Sequence, residues 1–158
     1  MVDGLRLFLL DFAVVVGITL IPGATAPRWP NRWLMRDVGP LRLTSLDRVA
    51  WYRALRIGPM SRWLPEFGEF FGGKSKRHLP GTSRQDLIDY CIEVRRAEWV
   101  HWISFFSWIP VAFFNPPWVT VLVALAVMAI NLVFLLILRY NRLRVGLTLA
   151  KMSATRPA

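Results

Sequence analysis

The chain is poor in the residues that most binding and catalytic motifs need. It has one cysteine, Cys91, so no intrachain disulfide framework can form. It has two histidines, and His78, Cys91 and His101 do not fall at metal-ligand spacing, which argues against a zinc site. No residue pattern calls for a cofactor. Acids are scarce: 10 Asp+Glu stand against 20 Lys+Arg in 158 residues, a formal net charge of +10. There is no G-x-S-x-G, so a serine-hydrolase elbow is unsupported. Internal repeats, low-complexity tracts and nucleic-acid motifs are absent.

What is abundant is apolar surface. Hydrophobic residues make up 54% of the chain, with 8 Trp and 10 Phe. High basicity points to nucleic acid or to an anionic lipid surface, and the long apolar runs decide for lipid. Gly4–Leu20 is apolar except for Arg6 and Asp11, and it approaches the roughly 20 residues a bilayer needs. Ala24-Thr25-Ala26 resembles a signal-peptidase site. Asp3, however, offsets Arg6 in the leader, so a retained span at about 4–21 is preferred over a cleaved signal. Asp11 is then an acid inside the span, reaching water or a bundle partner. Ala97–Phe114 and Trp118–Leu138 supply two more runs, separated by the turn Asn115-Pro116-Pro117. These give spans at about 97–114 and 118–138.

Residues 22–96 form a polar, basic segment. Pro22-Gly23, Pro27, Pro30 and Gly39-Pro40 argue against a helix at its start. Leu41–Arg56 has helical spacing and reads as an amphipathic helix in the headgroup layer or packed on the bundle. Gly72–His78 is a basic loop that faces lipid headgroups or holds phosphate through its backbone. Thr82 or Ser83, with Gln85 or Asp86 three residues on, marks the start of a helix that runs into the second span. Segment 22–96 carries 14 Lys/Arg and the basic tail 139–158 carries five, whereas the 115–117 turn has none. The positive-inside rule then places the N-terminus outside and both the long segment and the C-terminus in the cytoplasm. The expectation is a single-domain, all-α integral membrane protein of the cell membrane with three transmembrane helices.

Two polar clusters sit at the cytoplasmic ends of the hairpin. Glu98 and His101 are at i and i+3, hence on one helix face. A neutral His101 can act as a general base with Glu98 orienting it. Arg95, Arg96, Arg139 and Arg142 can hold a phosphate or pyrophosphate. Tyr140 and Asn141 can position a hydroxyl or stabilise an oxyanion. The plainer reading makes these residues ion pairs and interfacial anchors. A lone E-x-x-H is a weak signal, and the soluble-type acyltransferase pattern H-x-x-x-x-D is absent at both histidines.

Arg96-Ala97-Glu98, then His101-Trp102-Ile103-Ser104, then Asn131, then Arg139-Tyr140-Asn141-Arg142 resembles the glycosyl-4,4'-diaponeurosporenoate acyltransferases, small membrane proteins of carotenoid biosynthesis. The similarity is strongest over about residues 93–144. It continues more faintly through Trp63-Leu64-Pro65 and Lys76–Leu79. Leu143 stands where that family usually has a proline after R-Y-N-R. The resemblance implies esterification of a sugar hydroxyl of a glycosylated carotenoid or related glycolipid with a fatty acyl group. The partners would be a donor of the acyl-CoA type, a glycosylated lipid acceptor and membrane lipids. The competing class is a non-enzymatic membrane protein that binds anionic lipids or a partner protein.

Overall fold

The computed structural model describes residues 2–60, 81 and 83–154. The expectations for Trp63-Leu64-Pro65, for Gly72–His78 and for Thr82 as a cap lie outside them. Every regular element among the described residues is helical. The α-helices are α1 (Val2–Thr25), α2 (Val49–Ala54), α3 (Ile57–Met60), α4 (Arg84–Phe105) and α5 (Pro117–Ala154). Short 3-10 turns occur at Ala26–Arg28, Asn31–Trp33, Gly39–Leu41 and Ile109–Phe113.

Helix α1 passes through Pro22, where the sequence suggested a break. A proline this near the end costs one ladder bond. The last turn is closed by side chains: Thr25 Oγ1 donates to Ile21 O at 2.9 Å and Arg28 Nη1 to Ala24 O at 3.1 Å. Helix α4 begins at a capping box. Ser83 Oγ accepts from the Asp86 N–H at 3.1 Å while Asp86 Oδ2 accepts from the Ser83 N–H at 3.2 Å.

The expected second span needs correction. Of the run 97–114, only the part up to Phe105 is α-helical. Ser104 Oγ donates back to Val100 O at 2.8 Å, the Phe106 and Ser107 N–H groups close 3-10-type bonds, and Pro110 cannot donate to the preceding turn. The chain then reaches Asn115, whose Nδ2 donates to Asp11 Oδ1 of α1 at 2.7 Å. This bond supplies the bundle partner expected for the intraspan acid. Two helices, Gly4–Arg28 and Pro117–Ala154, are long and apolar enough to cross a membrane by length and composition. Helix α5 does not stop at Leu138. Val145 and Leu149 pack with Leu138 against Leu87, Tyr90, Cys91 and Val94 of α4, so a buried stripe sustains the helix beyond the apolar run.

The contacts order the layers. Asp11 meets Asn115 at one end of the bundle, and Trp29 and Asn31 meet Arg96 at the other. Helices α1 and α5 therefore run the same way, with α4 returning between them. Residues 26–48 form an irregular strap across the second end. The amphipathic helix expected over Leu41–Arg56 is reduced to α2. Asp47 Oδ2 instead accepts the Thr44 N–H at 2.7 Å and its Oγ1 at 3.2 Å, local bonds that compete with a helix. The strap buries Leu34 and Leu41, while Tyr52 and Ile57 pack on Ile137 and Tyr140 of α5.

Candidate active site

Arginines 95, 96, 139 and 142 each have protein partners. Arg142 is 2% exposed and Glu98 is fully buried. Arg142 Nη2 lies 3.0 Å from Glu98 Oε2 and 3.4 Å from Oε1. The same guanidinium donates to Asp37 Oδ1 at 2.5 Å and to the Leu41 carbonyl. Arg95 Nε donates to that same Asp37 oxygen at 2.6 Å. Arg96 pairs with Glu93 and donates to Asn31 Oδ1 at 2.6 Å.

Arg139 grips the strap most fully. Its Nε and Nη2 engage Asp47 Oδ1 and Oδ2 at 3.0 and 2.6 Å, a bidentate pair. Its remaining donors take the Pro40 and Arg42 carbonyls, each at 2.8 Å. Burial opposes the charge on Asp47, but the bonds from Arg139, the Thr44 N–H and Tyr52 outweigh it and hold the carboxyl well below the usual carboxylate range. Tyr52 donates to Asp47 Oδ1 at 2.5 Å. Burial and that bond push the phenol up to about 12. Four arginines thus face four acids, Asp37, Asp47, Glu93 and Glu98. These ion pairs form a strut between the strap and helices α4 and α5, with Arg96 Nε and Arg142 Nε left without a hydrogen bond among the described residues.

The other expected site residues fall around this strut. Tyr140 is buried, its ring centroid 5.4 Å from that of Tyr52, with the Arg144 guanidinium 5.6 Å from its centre. Asn141 is half-buried. His101 is half-buried one turn deeper than Glu98. His101 Nδ1 lies 3.0 Å from Asn131 Oδ1 of α5. The Asn131 amide nitrogen donates to Val127 O at 2.9 Å, which turns the amide oxygen toward the imidazole. The ring stacks on Phe134, with centroids 4.7 Å apart and planes 7° from parallel. An accepting oxygen at Nδ1 requires the proton there, which leaves the basic lone pair on Nε2. Two contacts are therefore in place here, Glu98–Arg142 and His101–Asn131. Beyond His101, buried Trp102 Nε1, Ser107 Oγ and Trp108 Nε1 have no hydrogen-bond partner among the described residues.

Sequence reasoning missed Asp37, Asp47 and Asn31. The signal was there for the two acids, which alone offset the seven arginines from Arg28 to Arg56. Asn131 entered only as part of the family pattern, without a partner.

The sequence profile of the glycosyl-4,4'-diaponeurosporenoate acyltransferases matches residues 30–151. The chain belongs to that family. The match takes in most of the strap, the strut and the His101–Asn131 pair. A Staphylococcus haemolyticus protein named glycosyl-4,4'-diaponeurosporenoate acyltransferase is 32% identical over 97 residues, covering 60% of this chain and 55% of that protein. The matched part is thus about half the length of that relative. No solved structure matches the chain.

Proposed function

We propose that the chain is a membrane O-acyltransferase that esterifies a sugar hydroxyl of a glycosylated carotenoid or related glycolipid, taking the acyl group from an acyl-CoA-type thioester. Family membership supports the acyl transfer, and the relative's name supports the acceptor class. The observation that carries the residue assignment is the His101–Asn131 bond. It favours the tautomer whose Nε2 accepts a proton.

In this reading the acceptor hydroxyl attacks the thioester carbonyl while His101 Nε2 takes its proton. The tetrahedral intermediate collapses, the C–S bond breaks, and the imidazolium returns the proton to the departing thiolate. Asn131 and Phe134 hold the ring. The buried donors at Trp102 and Trp108 serve polar groups of the acceptor or the developing oxyanion. Glu98, Arg95, Arg96, Arg139 and Arg142 hold the strap rather than the donor, and Tyr140 seats Tyr52 on α5.

Parallel α1 and α5 support three crossings. If both traverse the bilayer in one direction, residues 96–116 must carry the chain back, as the end of α4 plus 3-10 turns. With the basic strap and tail cytoplasmic, His101 lies just inside the cytoplasmic face of the cell membrane. A water-soluble thioester and a lipid acceptor can both reach that level.

The test is conversion of glycosylated carotenoid to its fatty ester in membranes at matched protein level. A general base contributes typically 10²–10⁴-fold, so His101→Gln should lose nearly all turnover. Asn131→Leu, which removes the acceptor for Nδ1–H, should lose a large part while the protein still inserts. Near-normal turnover by His101→Gln would remove the base assignment. Normal ester levels with the whole chain deleted would leave a non-enzymatic membrane protein.

A further inference from the structure

We propose that the surface from Arg28 to Arg56 is a docking collar for the anionic phospholipid headgroups of one leaflet. This inference is independent of the acyl-transfer reading.

Charge is sorted across this segment. Both of its acids, Asp37 and Asp47, turn inward onto Arg95, Arg139 and Arg142. All seven of its arginines are exposed, and none has an acid at ion-pair distance among the described residues. Among the described residues the outer face is therefore predominantly cationic. It is also greasy, which an ordinary solvated basic surface is not. Trp33 is 59% exposed, Met35 63%, Leu46 78% and Trp51 59%. Arginines interleaved with exposed tryptophans and aliphatics match a headgroup layer, where guanidinium meets phosphate and the apolar groups enter the acyl boundary.

Position agrees with composition. The segment begins where the apolar run of α1 ends and is clamped by Arg139 at the end of the apolar run of α5. It therefore lies at the level where both candidate spans leave the hydrocarbon. A nucleic acid would have no use for the apolar face at that level, and an acidic protein would have to displace lipid to reach it.

The experiment uses the full chain in vesicles of mixed phosphatidylglycerol and phosphatidylcholine. An environment-sensitive fluorophore is placed on Leu46→Cys in a Cys91→Ala background, with helicity checked first. Each lipid is supplied in turn with brominated acyl chains. The collar predicts blue-shifted emission and stronger quenching by the brominated anionic lipid than by the brominated zwitterionic one. Each arginine near an anionic surface is worth about a five-fold preference, so Arg32→Gln, Arg36→Gln, Arg48→Gln and Arg53→Gln together should remove the excess. None of the four side chains belongs to the strut, so the fold should persist. The excess should also vanish in about 1 M salt, where the screening length falls to roughly 3 Å. Equal quenching by both lipids in the parent would overturn anionic selectivity. Green, unquenched emission would place the segment in water. Blue emission that neither lipid quenches would mean that protein covers it.

Discussion

The Glu98–Arg142 pair gives the most direct test of how the strut works. Glu98 is fully buried, Arg142 is 2% exposed, and 3.0 Å separates them. Their surroundings are unequal. Arg142 also serves Asp37 and the Leu41 carbonyl, so without Glu98 it keeps two acceptors. Among the described residues Arg142 is the hydrogen-bond donor to Glu98, so without Arg142 a carboxylate is left buried and uncompensated. Arg142→Met should cost about 3–5 kcal/mol, the usual range for stranding a buried charge. Glu98→Met should cost less, about 1.5–3 kcal/mol, the worth of a charged hydrogen bond. The double replacement should fall short of the sum by about 0.5–3 kcal/mol, because the second substitution removes the charge the first one strands. Unfolding by a denaturing detergent from a mild one, followed by tryptophan fluorescence, gives all four corners of the cycle. Additive losses, or a larger loss for Glu98→Met than for Arg142→Met, would refute the assignment. Turnover per folded molecule separates it from the rival role. A strut residue leaves ester formation by Glu98→Gln close to normal, whereas a carboxylate that orients His101 would take turnover down at unchanged stability.

Asp47 and Tyr52 set the pH window of the strap. The Asp47 carboxyl is held below its ordinary value near 3.9, so its contribution is present above about pH 4 and is lost as pH falls through the folded value. Tyr52, raised to about 12, contributes below about pH 10 and loses its share as pH rises through 12. Fluorescence of a probe at Leu46→Cys should be flat between those limits, and Asp47→Asn should remove the acid limb. Reporters at Asn115 and after Ala154 should lie on opposite sides of the membrane, the second in the cytoplasm; both on one side would break the three-crossing topology.

The parts of the fold that were legible depend on neighbours in sequence. Ser83 and Asp86 are three residues apart, and their reciprocal bonds set the start of α4 without outside help. The continuation of α5 was also written locally, in Leu138, Val145 and Leu149, but the charges of Arg139–Arg144 concealed it. A helix needs only a narrow buried stripe, and arginines on its other faces do not end it. Pro22 misled because a proline rule speaks of helix interiors, and Thr25 and Arg28 repair the end it sits in. The early stop of α4 rested on Ser104, whose back-bond to Val100 is invisible in a hydrophobicity reading.

The contacts among the candidate site residues were not legible in the sequence, for a physical reason. Spacing of i and i+3 places Glu98 and His101 side by side, but proximity does not choose partners. In a buried setting a permanent guanidinium outcompetes a neutral imidazole for a carboxylate, and Arg142 takes Glu98 from 44 residues away. The imidazole is then left to a neutral acceptor, and the polar residue of the facing helix is Asn131. The strap follows the same logic at longer range. Asp37 reaches Arg95 and Arg142 across 58 and 105 residues, and Asp47 reaches Arg139 across 92. No window along the chain holds both ends of such pairs. What a window does show is their consequence: two acids among seven arginines in a Pro-rich stretch. Once both acids are drawn inward to meet the arginines of α4 and α5, the strap's own arginines can only face out.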